Sequence, residues 1–150
     1  MGLVYEDITL KNAGDVINVG RGFIKEPEIR QATVQAMVDT GAMTLVIGED
    51  VREELGLELR GEQQATLANE AIEMCHFTEP VEVHWKDRYT VIPALVLAGT
   101  RRRAQRARFP SGTKEVLLGA IPLEAMDLIV DPGSQQLAGA HGDQIIHKVK

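Results

Sequence analysis

The sequence predicts an all-β domain, β-rich with one or two short helices, and three observations carry that prediction. Short apolar runs alternate with Gly, Pro and polar clusters along the chain. Residues 33–38, Thr-Val-Gln-Ala-Met-Val, alternate in polarity as a strand with one buried face does. Two stretches, 64–77 and 81–97, each hold two β-like arms around a polar turn, the signature of hairpins.

Residues 3–10 form the first run, and residues 12–15 lead into a second strand at 16–19. Strand 33–38 stops at Asp39. After Asp39-Thr40-Gly41-Ala42 another short strand follows at 44–47. Residues 49–55 have helical spacing, with Val51 and Leu55 on one face and Gly56 as the C-terminal stop. The first hairpin joins 64–68 to 72–77 through Asn69-Glu70, a tip expected to be mobile. The second joins 81–85 to 89–97 across Lys86-Asp87-Arg88, and its second arm is apolar enough to be buried on both faces. Pro93 has no N–H to give to a ladder, so it marks a bulge or an edge in that arm. Residues 99–112 read as a loop. Then come Val116-Leu117-Leu118-Gly119, a short helix starting near Pro122, whose ring suits a first helical turn, and a last strand at 128–131. The expected division is a domain over residues 1–131 and a C-terminal tail, 132–150, of uncertain order and little apolar strand signal.

The chain has 150 residues, 44% hydrophobic and 25% charged, which suits one globular domain whose core needs neither disulfides nor metals. A net charge of −6 disfavours a general nucleic-acid binder. Only the run Arg101-Arg102-Arg103-Ala104-Gln105-Arg106-Ala107-Arg108 could form a basic patch, and it reads as a solvated, mobile loop. The first ten residues contain Glu6 and Asp7 and do not read as a secretory signal. With no membrane span indicated, a cytoplasmic location is expected. Cys75 cannot form an internal disulfide and reads as a small hydrophobe in a strand. His76, His84, His141 and His147 lack metal-ligand spacing, so no metal or other cofactor is expected. Gly20-Arg21-Gly22 reads as a turn.

The segment that carries chemistry is Ala36-Met37-Val38-Asp39-Thr40-Gly41-Ala42-Met43-Thr44-Leu45-Val46-Ile47. An apolar strand running into Asp-Thr-Gly-Ala and out into a second apolar strand resembles the active-site loop of retropepsin-like, retroviral-type aspartic proteases. Further on, Leu117-Leu118-Gly119 ahead of Pro122-Leu123-Glu124-Ala125-Met126 resembles that family's apolar-apolar-Gly element and its short helix. The resemblance spans about residues 31 to 131.

The resemblance implies a closed acid-protease-type barrel, one lobe per chain. It implies Asp39, Thr40 and Gly41 as catalytic residues, with Ala42 lining the substrate cleft. A flap formed by Leu67, Ala68, Asn69, Glu70 and Ala71 would cover a peptide or protein substrate. Without a side chain, Gly41 lets the backbone approach so that its N–H can hold the carboxylate. The Thr40 hydroxyl would brace two such loops against each other. No second Asp-Thr/Ser-Gly exists, and Asp131-Pro132-Gly133-Ser134 reads as a turn, so Asp39 should meet its equivalent in a homodimer. The basic run lengthens the connection to the apolar-apolar-Gly element, and the tail lacks the terminal strands that join the retroviral dimer. Two other readings stand beside the peptidase. One is a catalytically silent module of the same fold that binds peptides or assembles. The other is an unrelated β-domain that binds RNA or an acidic partner through residues 101–108.

Overall fold

Six strands close on one another in the computed structural model of the chain, which describes residues 3–66, 72–97, 106–131, 133–143 and 145. Strands β1 (Val4–Asn12), β2 (Gln31–Val38), β3 (Leu45–Ile47), β5 (Ile72–Trp85), β6 (Arg88–Leu97) and β7 (Val116–Leu118) form the barrel; β4 (Leu59–Thr66) extends it. The order is β1-β2-β7-β3-β6-β5-β4, and β1 closes the ring by pairing antiparallel with β5, Leu10 opposite Val83. Closure joins the two outer strands of what would otherwise be an open sheet, β1 meeting β5 over Thr9–Asn12.

Alternation fills the interior. From β1 Ile8 and Leu10 point inward, from β2 Ala32, Val34 and Ala36, and from β5 Val81 and Val83, all buried in one core with Leu45, Val116 and Leu118. Helix α2 (Glu49–Glu54) adds Val51, and Leu55 just past its end closes the same side. A second cluster lies on the outer face, where Phe109 covers Met37 and Leu117. The alternation of β2 therefore ends in three consecutive buried residues, Ala36, Met37 and Val38.

Several sequence expectations change once the strands pair. Residues 16–19 are not a strand but part of helix α1 (Ala13–Gly20). Asn12 caps it, its Oδ1 accepting from the Asp15 N–H at 3.1 Å, while Arg30 Nε and Nη2 each donate to the Asp15 carboxylate at 2.9 Å. A cap and a bidentate anchor outweigh the β-preference of Val16, Ile17 and Val19. The arms at 72–77 and 81–85 are one strand, β5, carried through a bulge between Phe77 and Pro80. Pro93 correctly signalled that irregularity, although the extra residue lies on the partner strand. β6 is not buried on both faces: Tyr89, Val91 and Pro93 are exposed between more buried neighbours.

Helix α3 (Ala120–Ala125) holds Pro122 in its first turn, as expected, and leads into β8 (Leu128–Asp131). The tail contributes a strand that its composition did not suggest. β9 (Gln136–Gly139) pairs antiparallel with β8 and sends Leu137 into the main core. Arg88, nearly fully buried, holds this corner: its Nη1 donates to the Met126 and Asp127 carbonyls at 2.9 and 2.8 Å, satisfying the end of α3. Among the described residues, no helix is long and apolar enough to cross a membrane.

Candidate active site

The loop leaving β2 is braced from two sides. The Asp39 N–H donates to the Leu118 carbonyl at 3.0 Å, and the Ala42 N–H returns to the Asp39 carbonyl at 3.1 Å. The first N–H groups of a helix have no partner inside it. In α3 the loop supplies them, for Ala120 N–H donates to the Ala42 carbonyl and Ile121 N–H to the Met43 carbonyl, both at 2.8 Å. Gly119 makes this approach possible. A Cβ there would stand 2.7 Å from the Ala42 carbonyl oxygen and 2.8 Å from the Thr44 nitrogen, and would also strike the Thr44 carbonyl. Thus the Asp39 loop and the Leu117-Leu118-Gly119 element, far apart in sequence, form one backbone unit.

Within that unit the Asp39 carboxylate is divided between two donors. Oδ1 accepts from the Gly41 N–H at 2.9 Å, a local turn of the kind Asp readily forms. A Cβ on Gly41 would lie 3.2 Å from that oxygen, so the side chain it lacks is one the turn has little room for. Oδ2 accepts from Arg108 Nη2 at 3.1 Å, and the same nitrogen lies 3.7 Å from Met37 Sδ. Thr40 is exposed, and its hydroxyl makes no hydrogen bond among the described residues. Ala42 is half-buried against the cluster of Met37, Phe109 and Leu117.

Asp39 and Thr40 face an open groove of about 900 Å³. Leu3, Val4, Arg108, Leu123, Glu124 and Ile129 are among the residues that line it. Two of its lining residues, Leu3 and Ile129, are exposed large apolar side chains, and Met43 and Ile121, in the Asp39 loop and the first turn of α3, are exposed as well.

Asp39, Thr40, Gly41 and Ala42 therefore share one braced turn. Leu67, Ala68, Asn69, Glu70 and Ala71 lie outside the described residues, as do residues 98–105. Sequence reasoning missed Arg108, which it read as part of a solvated loop. The described part of that run is ordered by its neighbour: Phe109 is buried, its N–H donates to the Arg106 carbonyl, and Arg106 Nη1 donates to the Thr113 carbonyl at 2.6 Å. An isolated aromatic next to the basic run was the one local sign of an anchor. Nothing local linked Arg108 to a carboxylate 69 residues earlier.

The barrel is of the acid-protease type, with a single Asp-Thr-Gly loop at one end. A family model for aspartyl proteases matches residues 26–121, nearly two thirds of the chain, from the turn before β2 to the start of α3. A search of curated proteins found no match. The chain belongs to the aspartyl protease family, of the retropepsin-like kind, and is a peptidase.

Proposed function

We propose that the chain is an aspartic endopeptidase that works as a homodimer, with Asp39 of each protomer forming a carboxylate pair. One observation carries this reading: a single braced Asp-Thr-Gly loop opens onto a groove with exposed apolar residues around it, so each chain supplies half of a two-carboxylate site. Two carboxylates this close cannot both ionise and share one proton. The ionised member takes a proton from water as the water oxygen attacks the scissile carbonyl carbon, and the protonated member gives its proton to the carbonyl oxygen. The tetrahedral species then collapses: the C–N bond breaks, the amine leaves with a proton, and the pair again holds one. No covalent enzyme adduct forms.

In this reading Gly41 holds Oδ1 so that Oδ2 faces the reaction, and the exposed Thr40 hydroxyl reaches across the twofold axis. Ala42 borders the cleft. Leu67, Ala68, Asn69, Glu70 and Ala71, between the arms of the β4–β5 hairpin, close over the peptide and exclude water. A cytoplasmic setting accords with a buried thiol at Cys75 and no second cysteine.

The test compares wild type with Asp39→Asn on a diverse peptide library, across a dilution series. Loss of an acid–base carboxylate should lower cleavage by about a thousandfold, and wild-type specific activity should fall as the dimer dissociates. Full specific activity in a monomer would sink the shared pair, and peptide binding by a dimer that never cleaves would favour the silent module.

A further inference from the structure

We propose that Arg108 is an intramolecular latch on Asp39. In the single chain its guanidinium fills the place beside Oδ2 that the second carboxylate and the attacking water occupy in the working dimer, and the site opens only when two copies displace it. The inference rests on the homodimeric reading and names how that site is regulated.

The carboxylate geometry shows why the two arrangements exclude each other. Oδ1 already accepts the Gly41 N–H at 2.9 Å, and Oδ2, the oxygen with no backbone donor among the described residues, is the one Arg108 contacts at 3.1 Å. A direct N–H···O contact at that distance leaves no room for a water between the groups. A guanidinium also cannot serve as the partner of a shared proton, because it does not deprotonate in proteins.

The position of Arg108 is built. The next residue, Phe109, is 7% exposed and packs with Met37 and Leu117 on the outer face of β2 and β7, the strands that present the Asp39 loop. Residues 106–113 fold back on themselves: the Phe109 N–H reaches the Arg106 carbonyl, the Thr113 N–H reaches the Pro110 carbonyl, and Arg106 bonds the Thr113 carbonyl. This short strap sets Arg108 in the lining of the groove. The contact can nonetheless be broken, since the Arg108 and Asp39 side chains keep 41% and 28% of their surface in solvent. A pair so placed holds in the single chain and yields to a partner that buries the groove.

The test uses full-length wild type, Arg108→Gln, Arg108→Lys and Phe109→Ala. Each is treated, at a dilution where it is monomeric, with a water-soluble carbodiimide and a small amine, and amidation of Asp39 is followed by peptide mass spectrometry. Asp39 should react several-fold faster in Arg108→Gln and in Phe109→Ala, and near the wild-type rate in Arg108→Lys, which keeps the cation. Sedimentation should show the Arg108→Gln dimer tighter by about tenfold, since two part-exposed ion pairs no longer have to be broken for each dimer formed. An unchanged Asp39 labelling rate in Arg108→Gln, or a weaker dimer, would overturn the latch. Cleavage is scored separately. Unmasked Asp39 with no cleavage by any of the four proteins leaves the latch standing and removes the peptidase dimer; cleavage with unchanged labelling does the reverse.

Discussion

Asp15 shows how one buried charge sets a local structure and a pH response. Its carboxylate is held below the ordinary carboxylate range first by the side-chain hydrogen bonds from Arg30, against the opposing effect of burial. The Arg30 guanidinium is correspondingly raised by the same bonds. Because the folded value of Asp15 is depressed, the stabilisation is fully present above the unfolded value, about 3.8, and is lost as pH falls through the lower folded value. Asp15→Asn should therefore destabilise the protein by about 2 kcal/mol at neutral pH, the size of a hydrogen bond to a charged group. In urea unfolding the gap between the two proteins should close as pH falls below both values. A gap that persists there would mean that the cost is one of packing or helix capping.

At the scale of elements, the bulge between β5 and β6 is the best example of a defect with its own chemistry. Pro80 stands opposite Pro93 and Phe77 opposite Leu95, so Thr78 and Glu79 together face Ala94. The ladder is broken at this point, yet the Ala94 N–H still has an acceptor, because the buried Thr78 hydroxyl takes it at 3.1 Å while donating to the Glu79 carbonyl at 2.7 Å. The side chain replaces a backbone carbonyl. Thr78→Val keeps the shape and removes the acceptor, leaving a buried N–H unpaired at a cost of about 2 kcal/mol. Thr78→Ser should recover most of that loss. Chemical denaturation of the three proteins measures both; equal stability of Val and Thr at this position would show that water takes over the bond.

For the whole molecule, the barrel's closure decides what the groove can do. The strand order places β7 beside both β2 and β3, so Leu118 reaches the Asp39 N–H and Gly119 can slide under the loop. The β8–β9 hairpin then forms a wall of the groove, burying Leu128 and Leu137 and leaving Ile129 exposed. In the homodimeric reading that exposed side chain meets the partner. Ile129→Lys should fold with near-wild-type stability, since a surface substitution outside the core usually changes stability by less than about 0.5 kcal/mol. It should also be monomeric in sedimentation and inactive on peptides. A dimeric, active Ile129→Lys would move the interface to another face.

The sequence by itself determined the elements that depend on neighbours along the chain. Alternation over residues 33–38 required a half-buried strand, Asp39-Thr40-Gly41 required a tight turn with a side-chain acceptor, and Pro93 required a bulge or an edge in its arm. These follow from side-chain period and turn chemistry, which act within a few residues. Tertiary structure decided the rest, because burial and pairing depend on residues far away in sequence. Residues 16–19 became helical when Arg30 anchored Asp15, and Gln136–Gly139 of the polar-looking tail became a strand when β8 offered a ladder and the core accepted Leu137. Arg108 reached Asp39 because the next residue, Phe109, is buried against Met37 and Leu117 on the strands beside the Asp39 loop.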